Sequence, residues 1–163
     1  MVNDTGTHTG NIEAFYQICE EGISGNPAVF DDHVAEDVVV HTPVGPFEGR
    51  QALTGYIENT FEAIPDYTVR IEDGFGDGDL VAGRFVQSGR QTGEAREMGL
   101  PATGNRFEMP GALFARFENG QCVEMWSIWD KMEFLQQLEL FPDSPRKIVG
   151  LLLGQLKSRL ASR

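Results

Sequence analysis

This chain of 163 residues is poor in positive charge. Thirteen Lys and Arg, only three of them Lys, stand against 25 Asp and Glu, for a formal net charge of −12. Binding to a phosphate backbone is driven largely by basic side chains displacing counterions, so no nucleic-acid partner is expected. The acidic groups are spread along the chain, which reads as a solvated acidic surface. Cysteine is scarcer still. Cys19 and Cys122 make neither a disulfide framework nor a CxxC pair, so they read as buried reduced thiols without a structural metal. The three histidines are too scattered to suggest a metal site. No apolar run approaches the roughly 20 residues needed to span a bilayer, and the opening MVNDTGTHTG lacks the basic and apolar regions of a secretion signal. There is no GxSxG nucleophile motif. GFGDGD has neither a P-loop lysine nor a Rossmann strand–helix context, so it reads as a hairpin turn. These absences leave a cytoplasmic enzyme or small-molecule binding protein.

What the sequence does contain is a globular composition, 40% hydrophobic with eleven Phe, at a length that suits one domain with a core and a modest cavity. After a polar leader at residues 1–9, NIEAFYQICEEGIS places Ile12, Phe15, Tyr16, Cys19 and Ile23 at helical spacing, closed by Gly25. A short second helix is expected from GNPAVFDDHVAED, with Asn26 as cap and Pro27 at its first position. DVVVHTP is a β-branched strand ending at His41 or Thr42, and VGPFEG reads as a turn. Leu53, Tyr56, Ile57, Thr60, Phe61 and Ile64 mark a third helix from Arg50, stopped by Pro65. Two hairpins follow, with turns near residues 76–79 and at Glu118–Gly120, separated by the loop EAREMGLPATGN. KMEFLQQLEL then reads as a helix. The last stretch, residues 143–161, reads as a C-terminal amphipathic helix packing on the domain or across a dimer interface, with contact to a membrane surface as the alternative.

The stretch WSIWDKMEFLQQL poses the chemical question, because a carboxylate follows a run of apolar strand. Strict alternation through residues 121–130 puts Cys122, Glu124, Trp126, Ile128 and Asp130 on one side and Val123, Met125, Ser127 and Trp129 on the other. Asp130 is either the N-cap of the following helix, with Glu133 three residues on, or an acid–base group raised in pKa by a dry pocket. The two roles are compatible. His41, at a strand end beside a Pro/Gly turn, is a second acid–base candidate. Arg84, inside the apolar strand LVAGRFVQ, needs a buried carboxylate or a ligand oxygen as partner. Arg116 poses the same problem closer to a turn.

Three stretches, DVVVHTPVGPFEGRQALTGYIENTFEAIPDYTVRIED, GDLVAGRFVQSGRQTGE with PATGNRFEMPG, and FARFENGQCVEMWSIWDKMEFLQQL, together resemble the SnoaL-like polyketide cyclase family of the NTF2-like superfamily. The resemblance implies an α+β cone-shaped barrel: a strongly curved antiparallel sheet closed by N-terminal helices around an apolar pocket, here with an extra C-terminal helix. The core would span about residues 10–140 of a single domain. It also implies intramolecular aldol ring closure of an aromatic polyketide without metal or organic cofactor, the acid–base carboxylate falling at Asp130, and a homodimer or larger homo-oligomer through the sheet's outer face. On this reading Trp126, Phe15, Tyr16 and Ile128 wall an apolar or aromatic substrate, and His41 or Arg84 stabilises an enolate oxygen. Leu113 stands where many relatives carry His, and Met125 where many are polar. The superfamily also holds epoxide hydrolases and proteins that only bind, and both remain alternatives.

Overall fold

The computed structural model describes residues 5–141; the expected helix at 143–161 lies outside them. The chain starts as helix α1, Thr5–Tyr16, and continues into a wider helical turn, Gln17–Gly22, whose bonds span five residues, as in Ile23 N–H to Ile18 O at 2.8 Å. The helix therefore begins inside the stretch expected to be a leader. Turn hydrogen bonds from Val29 to Asn26 and from Phe30 to Pro27 precede α2, Val29–His33, so Asn26 and Pro27 initiate the turn but lie outside the helix. Strand β1, Val34–Thr42, is longer than expected, and Gly45–Glu48 is not a plain turn but strand β2, paired antiparallel to it. Helix α3, Arg50–Ala63, ends before Pro65 as the sequence predicts.

The long hairpins follow: β3, Thr68–Asp77, with β4, Leu80–Arg90, then β5, Arg106–Glu118, with β6, Gln121–Trp129. Asn119 and Gly120 both hold positive φ, 51° and 81°, which is the backbone that a two-residue hairpin turn of right-handed strands requires. Helix α4, Lys131–Gln137, closes the described chain. The six strands form one sheet in the order β2-β1-β6-β5-β4-β3. Among the described residues its one parallel pair joins β1 to β6, the first described strand with the last. The fold is α+β, with the helices laid on one face of the sheet.

That inner face carries the core. Phe15, Ile18, Cys19, Phe30, Leu53 and Ile57 from the helices pack against Val81, Phe85, Leu113, Ala115, Phe117 and Met125. A second cluster, Ala63, Ile64, Phe107, Met109, Phe134 and Leu138, continues it under α4. Apolar burial of this kind stabilises by about 25 cal/mol per Å² of surface removed from water. The two clusters meet at Tyr67 and Trp129, which pack against both.

A candidate small-molecule site on the inner face of the sheet

Two narrow apolar cavities lie at that junction. The first is bounded by α3, the inner ends of β4 to β6, Phe134 of α4 and the 3-10 turn Arg96–Met98. The second lies deeper, among Val40, Leu53, Phe85, Leu113, Met125 and Ser127. Each has ≈ 40 Å³ open to the centre of a water molecule, room for a few waters. Tyr56, Tyr67, Gln87 and Trp129 line both, so the cavities are neighbours across four side chains.

The polar groups here are few and mostly neutral. The Tyr67 hydroxyl donates to Gln87 Oε1 at 2.8 Å. Burial, reinforced by the neighbouring Tyr56, pushes the Tyr67 phenol far above its ordinary range. Tyr56 is pushed up to about 12, first by burial and then by the carboxylate of Glu97. Both tyrosines are therefore hydrogen-bond donors at any ordinary pH. Glu97, on the wall of the first cavity, is held by Asn59 Nδ2 at 2.7 Å.

The position of Asp130 differs from a carboxylate in a dry pocket. It caps α4, its Oδ1 accepting the N–H of Met132 at 2.8 Å and of Glu133 at 3.1 Å. The residue is exposed, so the expected desolvation is not present. Neither cavity is lined by it, although Trp129 immediately before it lines both.

The residues expected to wall the substrate are distributed otherwise. A bulge in β6 pairs Phe117 with Cys122 but Arg116 with Glu124, leaving Val123 as the extra residue. Alternation restarts there. Cys122 faces the core, whereas Trp126 and Ile128 face away from it and Met125, Ser127 and Trp129 face inward. Ile128 is 57% exposed. His41, paired with Trp126 across the parallel strands, shares that outer face. Its Nε2 meets Glu124 Oε1 at 2.9 Å and its ring stacks on Trp126 at 5.6 Å, while its neighbour Val40 lines the second cavity.

Arg84 is also on the outer face and finds its partner there: Nη2 donates to Asp73 Oδ2 at 3.0 Å, across a bulge in β3. Phe15 is fully buried in the core, beneath Gly83, where an added Cβ would come within 2.8 Å of its ring. Tyr16 packs partly buried beside Gly74. Neither lines the two cavities.

The residues that do line them were partly visible in the sequence. Leu113 and Met125, the two departures from the family pattern, both border the second cavity and make it more apolar. Tyr56 stood on the inward stripe of α3. Gln87 lies three residues from Arg84 and so on the opposite face of β4, an alternation that puts it on the inner side. The outer face, where self-association was expected, exposes Phe75 at 72% and Phe114 at 42% beside Ile128. Among the described residues no helix is long and apolar enough to cross a membrane.

Comparison with known proteins agrees with this architecture. The structure of a protein from Jannaschia sp. CCS1, provisionally described as a SnoaL-like polyketide cyclase, superposes with a TM-score of 0.73 at 22% identity, covering 83% of this chain and 96% of that one. AclR from Streptomyces galilaeus, provisionally described as a hydroxylase, shares the fold at TM-score 0.62 and 22% identity over 99% of this chain and 96% of its own. IdmH from Streptomyces antibioticus, provisionally described as a polyketide cyclase, is 32% identical over 80% of this chain and 97% of its own, with a TM-score of 0.63. No match is found among curated proteins. The profile of SnoaL-like polyketide cyclases fits residues 12–138, from within α1 to just past α4, and with that match the chain belongs to the SnoaL-like polyketide cyclase family.

Proposed function

We propose that the chain is a cofactor-independent cyclase that closes a ring in a polyketide-like substrate by intramolecular aldol chemistry, or performs a related isomerisation or dehydration. The observation that supports this reading is the pair of adjoining apolar cavities with a few convergent polar groups, on the inner face of the sheet of a cyclase-family chain. A carbon between two carbonyls is already acidified, so the protein has to supply a base, an orientation and exclusion of water. Tyr56, Tyr67 and Trp129 offer flat walls for a ring system. Asp130 is the base in this proposal. Its Oδ1 is engaged in the cap and, among the described residues, nothing donates to Oδ2, so a substrate reaching past Trp129 would meet a free carboxylate oxygen.

Asp130→Asn tests this directly, because Asn caps a helix as well as Asp but is no base. Turnover of aromatic β-ketoesters should fall by about 100-fold or more, with ligand affinity unchanged. Full turnover in the variant would remove Asp130 from the mechanism. The exposure of Asp130 favours a second reading, a binding protein that releases its small molecule unaltered. Mass spectrometry of what co-purifies separates the two: a retained, chemically unchanged compound with no turnover supports binding alone.

A further inference from the structure

The buried positions of β4 are Val81, Gly83, Phe85, Gln87 and Gly89, and Gln87 alone is polar. It is 6% exposed and borders both cavities. Its Oε1 accepts the Tyr67 hydroxyl at 2.8 Å, whereas its Nε2 is enclosed and has no hydrogen-bond partner among the described residues. Native proteins leave few buried amide hydrogens unpaired, since such a group has lost water and gained nothing.

Tyr67 decides which end of the carboxamide is free. Held protonated by burial, the phenol has a hydrogen to give, and Oε1 takes it. Turning the amide over would leave that hydrogen without an acceptor among the described residues. The free group is thus a neutral donor, fixed in direction, in a cavity whose lining, among the described residues, holds no Arg, Lys or His. Such a donor matches a neutral carbonyl oxygen better than a carboxylate or phosphate, whose charge would be left without a counter-ion.

We propose that Gln87, clamped by Tyr67, is a specificity-determining residue that donates from Nε2 to a ketone or ester carbonyl of a neutral ring compound, selecting carbonyl compounds over hydrocarbons of the same shape. The proposal rests on the cavities being a small-molecule site. In an enolisation the α-carbon's proton passes to the base, the C–H electron pair becomes the C=C bond and the C=O π pair moves onto the carbonyl oxygen, where the same N–H donates to the anion more strongly.

1-Indanone and indane differ by one carbonyl oxygen and serve as probes. Binding to the intact chain is followed by NMR through the indole N–H of Trp129. Wild type should hold 1-indanone about tenfold more tightly than indane. In Gln87→Met the ratio should fall to about twofold or less, with indane unchanged or tighter. Tyr67→Phe keeps the amide but frees its rotation, and should give an intermediate ratio. If Gln87→Met does not fold, Tyr67→Phe decides by the same ratio. A purely structural role would weaken both probes together and leave the ratio intact. Equal binding of the two probes to wild type, or an unchanged ratio in the variants, overturns the assignment of Gln87 while leaving the cavities a small-molecule site. Failure of both probes to shift Trp129 overturns the cavity reading, and the proposal with it.

Discussion

At the scale of single residues, Asp130 carries two possible duties and the structure makes one of them visible. Its Oδ1 satisfies two of the amide hydrogens that open α4, which is why a carboxylate can follow so apolar a strand. Replacing it with Ala should therefore cost about 1 kcal/mol of stability, against less than about 0.5 for Asn. Urea denaturation of the two variants measures this; equal stability of Ala and wild type would show that the cap contributes nothing. The cap was legible in the sequence, because Asp before an amphipathic run is a local signal. Its exposure was not, because solvent contact is set by whatever else packs nearby. Arg84 teaches the same lesson in reverse: an Arg in an apolar strand looked like a buried charge, but its face of the sheet is open and Asp73 lies across from it.

At the scale of elements, the bulge at Val123 matters most. Strict alternation correctly kept Met125, Ser127 and Trp129 together, but it grouped Cys122 with Trp126 and Ile128, which the extra residue separates. Two glycines test how tightly these elements are matched. At Gly111, on β5, an added Cβ would overlap the Phe85 ring and come within 2.8 Å of Ile128 O on β6. Backbone cannot yield as a side-chain tip does, so Gly111→Ala should destabilise by about 1–3 kcal/mol. Gly55 in α3 has ordinary helical backbone and no neighbour within 4 Å of an added Cβ, so Gly55→Ala should stabilise by about 0.5–1 kcal/mol. Chemical denaturation of both reads the signs; the same sign for the pair would contradict this packing.

At the scale of the whole molecule, burial leaves a signature in pH. The thiols of Cys19 and Cys122 and the phenols of Tyr56 and Tyr67 are all raised, chiefly by desolvation, Cys122 and Tyr56 to about 12. The unfolded chain releases these protons near 9 to 10, and the folded chain holds them longer. Their contribution to stability is therefore complete below about pH 8 and is lost as pH rises from 9 towards 12, by up to about 1.4 kcal/mol per pH unit for each group. The melting temperature should fall steadily between pH 9 and 10.5; a flat profile there would mean that these groups are wetter than the structure has them.

The sequence by itself determined where α3, the two long hairpins with their turns, and α4 fall, because period, caps, prolines and turn glycines act within a few residues of where they stand. Together with the family motifs it also determined the fold class. Only the tertiary structure decided the pairing of β1 with β6, the strand character of Gly45–Glu48, and which face of the sheet the helices cover. The reason is physical. Alternation says that two sets of side chains face opposite ways, but when both sets are apolar it carries no sign, and the sign comes from partners far along the chain and from bulges that reset the phase. Trp126 and Trp129 are three residues apart and equally apolar; tertiary packing alone makes one a surface residue and the other a wall of the cavity.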